Sequence, residues 1–323
     1  MKPLIIAHRG ASHVAPENTI SAFRAAYTEG ADGIETDVQL TLDGKMVMHH
    51  NYSIDANSNG HGLVSQMTEE EVRQYDFGSW MGPQFAGEKI PTLAECLEAS
   101  RDFQVINIEL KAPMSREINY VEQVAQEIRK SGLQEKIIVS AFDHSLLRQM
   151  KQLAPEIKVG ALTMESMASS PMVAASQHFL PMDVPIAQIN MAEVQLPPAV
   201  LSSLDALNIP GSDPKAVMGE MLSGIGAMFP GATVREVLQQ LHRQEDLVTY
   251  MKELDFRAEY LHCEYASCLK DPQLVEKIHA LGIGINPWTV DREADMLALI
   301  PMGPDGIITN RPDLLRNLLE ENR

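Results

Sequence analysis

Asp32-Gly-Ile-Glu-Thr-Asp-Val-Gln-Leu-Thr-Leu-Asp-Gly-Lys-Met-Val-Met-His-His50 reads as a strand, a tight turn and a return arm. Asp43-Gly44 suits a two-residue type I′ turn, because both central positions need positive φ and Asp and Gly tolerate it best. That turn sets Leu42 against Lys45 and, counting outward, Asp37 against His50. Cross-strand partners share a sheet face, as do residues two apart on one strand, so Glu35, Asp37 and His50 are expected to converge. Two carboxylates and an imidazole on one face form a chemical site. On an exposed hairpin the same acids would simply face water.

On either side of this hairpin, short β-rich runs alternate with amphipathic stretches, the pattern of a parallel sheet with crossover helices. Strands are expected at Leu4 to His8, Gly33 to Val38, Val105 to Leu110, Lys136 to Ser140, Ile157 to Leu162, Ala258 to Cys263, Ile283 to Val290 and Gly306 to Thr309. The return arm Lys45 to His50 runs the wrong way for an all-parallel barrel, so it is expected to project from the end of the second strand. Helices are read where caps flank periodic apolar residues. Asn18 or Thr19 starts the first, Thr92 to Glu95 forms a capping box, Ser115 begins another, and Gly132 ends that one.

Residues 1–323 are read as one catalytic TIM (β/α)8 barrel with two interruptions. Asn51 to Ile90 is polar and turn-rich, a small insertion after the second strand. Residues 164–254 form a larger helical insertion after the fifth, with apolar stripes at Leu201, Leu204 and Leu207 and at Val217, Met221, Ile225 and Met228. The second insertion leaves the barrel on its catalytic face. A lid shaping a substrate pocket is the first expectation for it, and a homodimer interface the second.

With 26 basic against 44 acidic residues the chain carries a formal charge of −18, which repels nucleic acid and anionic membranes at long range. An anionic substrate would need a local positive site. The three cysteines, Cys96, Cys263 and Cys268, have neither an even number nor a metal-ligand spacing, and inert thiols are expected. No apolar run is long enough for a signal peptide or a membrane span, so a cytoplasmic location is expected.

His8-Arg9-Gly10 closes the first strand, where the loops of a barrel gather catalytic groups. Glu109 and Lys111 close the third, two residues apart and therefore on one face. Glu35, Asp37 and Glu109 are hard oxygen donors suited to Mg²⁺ or Ca²⁺, whereas zinc would recruit Cys or more His. Arg9 and Lys111 suit an anion, Arg by gripping two phosphate oxygens at once.

The His8-Arg-Gly start, Pro16-Glu-Asn-Thr19, Glu35-Thr-Asp37, His50, Asn59-Gly60, Pro91-Thr-Leu93, Ile108-Glu-Leu-Lys111, Ser140-Ala-Phe-Asp143, Trp288-Thr-Val290 and Asp305-Gly-Ile-Ile-Thr-Asn310 together resemble the glycerophosphodiester phosphodiesterases in order and spacing. The resemblance covers residues 4–162 and 258–315. The resemblance implies a TIM barrel that uses a divalent metal to split a glycerophosphodiester into glycerol 3-phosphate and an alcohol. It further implies that His8 and His50 are the acid-base pair, that Glu35, Asp37 and Glu109 hold the metal, and that Arg9 and Lys111 contact phosphate. Trp288 would stack on substrate carbon atoms, or simply pack.

The chain departs from the family at Asn51, where Asp is usual, in the tract Asp55 to Gly60, and at Asp291, where Asn is common. Two alternatives follow: a related phosphodiesterase acting on lysophospholipid or phosphoinositide head groups, and a catalytically silent member that binds a phosphorylated ligand. His49 and His61 are read as outward or satisfied histidines, Asp143 as a helix cap or pocket residue, and Glu17 as the one residue of its quartet that could touch substrate.

Overall fold

Gly33–Leu40 and Val105–Leu110 are buried at every position, as strands covered on both faces must be, and they pair in parallel from Gly33 with Val105 to Val38 with Leu110. This computed structural model describes residues 2–113, 119–165, 175–198, 200–201, 214–229 and 231–321. The strands are β1 (Leu4–His8), β2 (Gly33–Leu40), β3 (Met46–Met48), β4 (Val105–Leu110), β5 (Ile137–Ala141), β6 (Lys158–Leu162), β7 (Tyr260–His262), β8 (Gly284–Ile285) and β9 (Gly306–Thr309). Hydrogen bonding orders them β8-β7-β6-β5-β4-β2-β1-β9, all parallel, with β3 antiparallel on β2 outside that path.

The two ends of the path meet. The Asp305 N–H donates to the Ile285 carbonyl at 3.0 Å, that of Ile308 to Pro287 at 3.0 Å and that of Val290 to Ile308 at 2.9 Å. The eight parallel strands thus form a nearly closed TIM barrel. β8 has only two residues where Ile283 to Val290 was expected, and Pro287, which has no N–H to give a ladder, lies just beyond its end. Ile6, Val105, Ile138 and Ile308 pack together although they belong to β1, β4, β5 and β9, which places them inside the ring.

The hairpin corrects its expected register. Val38 faces Met48, Gln39 faces Val47, Leu40 faces Met46, and the Thr41 N–H donates to the Lys45 carbonyl at 2.9 Å. The loop therefore holds three residues, with Gly44 at φ +72°. Thr41 is the reason: its hydroxyl accepts from the Lys45 N–H at 3.0 Å and donates to Asp43 at 2.6 Å, closing the longer loop. Asp37 consequently lies opposite His49, whose N–H donates to the Asp37 carbonyl at 2.9 Å. A one-residue slip exchanges faces, so pairing alone would turn His50 away from Asp37. The strand stops at Met48, however, and the Gln39 amide donates to the carbonyls of His49, His50 and Asn51, bending the chain beyond the strand.

Helix starts follow the sequence closely. Thr19, not Asn18, caps Ile20–Thr28, Thr92 and Glu95 form a reciprocal capping box on Leu93–Ala99, and Asp143 caps His144–Leu153. Gly132, at φ +72°, ends Tyr120–Ser131, while Ser115 lies outside the described residues. The small insertion has its own core of Ile54, Val64, Val72, Phe77 and Ile90 around Val47 of β3.

Two compact units divide the chain: residues 1–163 with 251–323, and residues 164–250. In the second, Thr233 and Glu236 form a capping box on Val234–Arg243, whose Val234, Val237 and Leu241 are buried. Pro214–Met228 is helical, and Leu204 and Leu207 lie outside the described residues. Among the described residues no helix is long and apolar enough to cross a membrane.

Candidate active site

At the C-terminal end of β1 the chain turns sharply through Arg9 (φ +57°) and Gly10 (φ +80°). A Cβ on Gly10 would come within 2.6 Å of the Ala22 carbonyl carbon, so only glycine lets the turn lie this close to the first helix. Arg9 and Asn18 are the non-glycine residues with positive φ among those described, and they brace each other through Asn18 N–H to Arg9 carbonyl, 3.0 Å. Such backbone is held only where its surroundings over-determine it. Here the Arg9 N–H also donates to Glu35 Oε2 at 3.2 Å, and Asn18 Nδ2 to Asp37 Oδ2 at 2.8 Å. Asn18 Oδ1 in turn accepts from the Thr36 hydroxyl and the Asp37 N–H. Asn18, read from sequence as a cap candidate, is thus a brace of the site. The signal was its place in Pro16-Glu-Asn-Thr19, beside a Thr that already serves as the cap.

β2 and β4 bring three acids together: Glu35, Asp37 and Glu109 each offer an oxygen within 4.8 Å of the others, and all three are buried. Burial, then Asp37 and Glu109, push the Glu35 carboxyl well above its usual range. Burial pushes Glu109 up as well, against Lys111. Burial would do the same to Asp37, but Lys111, His50, Arg9 and the Asn18 amide overcome it and hold that carboxyl far below its usual range. Lys111 Nζ stands 2.6 Å from Glu109 Oε1 and 3.2 Å from Asp37 Oδ1. Arg9 Nε lies 3.5 Å from Asp37 Oδ2, while its NH1 donates to Glu17 at 3.1 Å. Asp37 Oδ1 and Arg9 Nε, both buried, make no directed hydrogen bond. Three buried carboxylates that repel one another, one of them with an oxygen that meets Lys111 only as an ion pair, are an arrangement that a hard divalent cation relieves.

Both sequence-selected histidines end on an asparagine. His8 Nδ1 lies 2.7 Å from Asn310 Oδ1, with its Nε2 3.7 Å from Glu35 Oε2. His50 Nδ1 lies 2.9 Å from Asn51 Oδ1, and Asn51 Nδ2 donates to Asn57 Oδ1 at 3.0 Å. An amide oxygen only accepts, so in these amide orientations each imidazole carries its proton on Nδ1 and presents a lone pair at Nε2. Burial lowers His8 to about 4 and His50 to about 3, and both are neutral at pH 7. His50 interacts electrostatically with Asp37, Lys111 and Arg9. His49 is a satisfied core histidine on Ser53 and Phe77, and His61 is exposed. Trp288 donates to the His262 carbonyl at 2.9 Å and packs its ring edge-to-face on Phe142. Glu17 meets Arg9.

Fold and site together define a TIM-barrel protein whose strand ends gather carboxylates, imidazoles and two cations. The glycerophosphoryl diester phosphodiesterase family model matches residues 8–209 and 227–314, and the chain belongs to that family. It is 32% identical to a glycerophosphodiester phosphodiesterase of Caldanaerobacter subterraneus subsp. tengcongensis over 99% of both chains. It is 28% identical to one of Bacillus subtilis over 98% of this chain and 86% of the other. An Oleispira antarctica phosphodiesterase, solved in complex with the product sn-glycerol-3-phosphate, superposes with a TM-score of 0.63 at 22% identity, covering 99% of this chain and 97% of that one, a likeness of fold. The family match runs through most of residues 164–254, beyond the motifs quoted above.

Proposed function

We propose that the protein hydrolyses glycerophosphodiesters to glycerol 3-phosphate and an alcohol, with His8 and His50 as the acid-base pair and a divalent cation, Mg²⁺ or Ca²⁺, on Glu35, Asp37 and Glu109. The observation that supports this reading best is the pair of imidazoles, each held at Nδ1 by an asparagine, together with a buried triangle of carboxylates. When bound, the metal would act as a Lewis acid on the phosphoryl oxygens. Arg9 and Lys111 contact the phosphate and stabilise charge that grows there. One histidine takes the proton of the attacking oxygen, from water or the neighbouring glycerol hydroxyl, at its Nε2. The other, its basicity raised by the arriving anion, delivers a proton to the departing alkoxide. Trp288 supplies an apolar wall for substrate carbon atoms. Three buried cysteines that form no disulfide suit the cytoplasm.

Glycerophosphocholine incubated with the protein and Mg²⁺ or Ca²⁺ should release glycerol 3-phosphate, and chelation followed by dialysis should abolish that release. His8→Ala and His50→Ala should each lower kcat by at least about 10²-fold. Choline phosphate as the product would assign a different bond, and no product above the protein-free control would leave a phosphate-ligand-binding protein. Full activity in excess chelator would remove the metal.

A further inference from the structure

The two histidines end on asparagines that are themselves held differently. Asn310 Oδ1 faces His8 Nδ1 and accepts from the Ser12 hydroxyl at 2.8 Å, while its Nδ2 donates to Asp291 Oδ2 at 2.7 Å. The other oxygen of Asp291 accepts from the Asn310 backbone N–H at 2.8 Å and the Thr309 hydroxyl at 3.2 Å, so the carboxylate cannot turn away. The two ends of an amide are nearly alike in shape, so the group that takes the amide protons decides which end faces the histidine. A carboxylate accepts and never donates. Asn57, which plays this part behind Asn51 and His50, is an amide and could present either end.

We infer that Asp291 and Asn310 are positioning residues for the reaction: Asp291 locks the Asn310 amide with its oxygen toward His8 and so keeps His8 in the tautomer whose Nε2 lone pair is free. Neither residue needs to touch substrate. The inference rests on the phosphodiesterase reading for its kinetic consequence, though the tautomer itself is a property of the resting protein.

The chemistry of each exchange follows from donors and acceptors. In Asp291→Asn, the oxygen stays with the Asn310 N–H and the Thr309 hydroxyl, which turns the new NH2 toward Asn310 Nδ2. Two donors then face each other. Relief comes when Asn310 rolls over, placing its NH2 against His8 Nδ1, and His8 must move its proton to Nε2, where the lone pair was needed. In Asn310→Asp, two carboxylates confront one another and repel. The double exchange Asp291→Asn with Asn310→Asp restores complementarity, because the amide at 291 donates to the carboxylate at 310, whose free oxygen accepts from His8 Nδ1.

The test is kinetic and spectroscopic. Each single exchange should lower kcat for glycerophosphocholine by about 10- to 10²-fold, with KM within about twofold, the split expected when only the transition state is affected. The double exchange should recover to within about threefold of the parent. A double variant as poor as the product of the two singles, or a full kcat in Asp291→Asn, would overturn the inference. Imidazole ¹⁵N shifts, assigned by comparison with His8→Ala, read the tautomer without activity. The parent should carry its proton on Nδ1 and Asp291→Asn on Nε2; a parent protonated on Nε2 overturns the proposal even if the variants do not fold. Should the parent release no glycerol 3-phosphate, the functional reading fails, and the ¹⁵N shifts still decide for or against the lock.

Discussion

His262 shows how much a single buried residue couples the barrel to pH. It is fully buried, accepts from Asn286 Nδ2 at 3.1 Å, and lies across Gly160, where a Cβ would come within 2.7 Å of its ring. Burial lowers its pKa from 6.5 to about 3. Below pH 6.5 the unfolded chain therefore binds a proton that the folded chain refuses, so this contribution to stability is complete above pH 6.5 and is lost as pH falls. Its slope is about 1.4 kcal/mol per pH unit. Urea unfolding of His262→Gln between pH 6.5 and 5.5 should show a flatter dependence than the parent, and equal slopes would show that the histidine is not buried neutral.

At the scale of the element, the turn after β1 is the piece on which the site depends most. It combines an Arg and a Gly at positive φ with a backbone contact to the first helix. Gly10→Ala adds both left-handed strain and a 2.6 Å collision with backbone, which cannot move aside as a side chain would. It should cost at least about 2 kcal/mol in urea unfolding and lower kcat with it. Gly44, also at positive φ but with open space around it, is the control: Gly44→Asn should cost less than about 1 kcal/mol. Comparable losses at both sites would mean that φ alone, not the close approach, sets the requirement.

The whole molecule adds a second compact unit, residues 164–250, to the barrel. We propose for it first a lid that shapes the leaving-alcohol pocket and second a homodimer interface. Replacing residues 165–253 with a short Gly-Ser linker separates them, with circular dichroism reporting that the barrel remains folded. A changed ranking of small against bulky alcohol substrates supports the lid. A monomeric variant of a dimeric parent with an unchanged ranking makes the segment an assembly element.

The succession of strands and helices, the Thr92–Glu95 capping box and the helix stop at Gly132 were legible because each is written in local pattern: β-rich runs alternating with amphipathic ones, Thr-x-x-Glu and a glycine where φ is positive. The residues proposed for the site were legible as strand-end chemistry in a barrel. The β2–β3 register was not, since Asp43-Gly44 serves two-residue and three-residue loops alike and the Thr41 hydroxyl, free to bond forward, selected the longer one. Asn18, Gln39 and the Asp291 support of Asn310 were hidden for a different reason. An asparagine at a helix start, a glutamine in a strand and an aspartate after Trp-Thr-Val each have ordinary local uses. What makes them parts of a site is which acceptor meets which donor across the chain: 19 residues from Asn18 to Asp37, and 302 from His8 to Asn310. Sequence determined which groups the strand ends would carry; tertiary structure decided which way each one faces, because hydrogen bonds between distant residues fix rotamers and tautomers that no local pattern specifies.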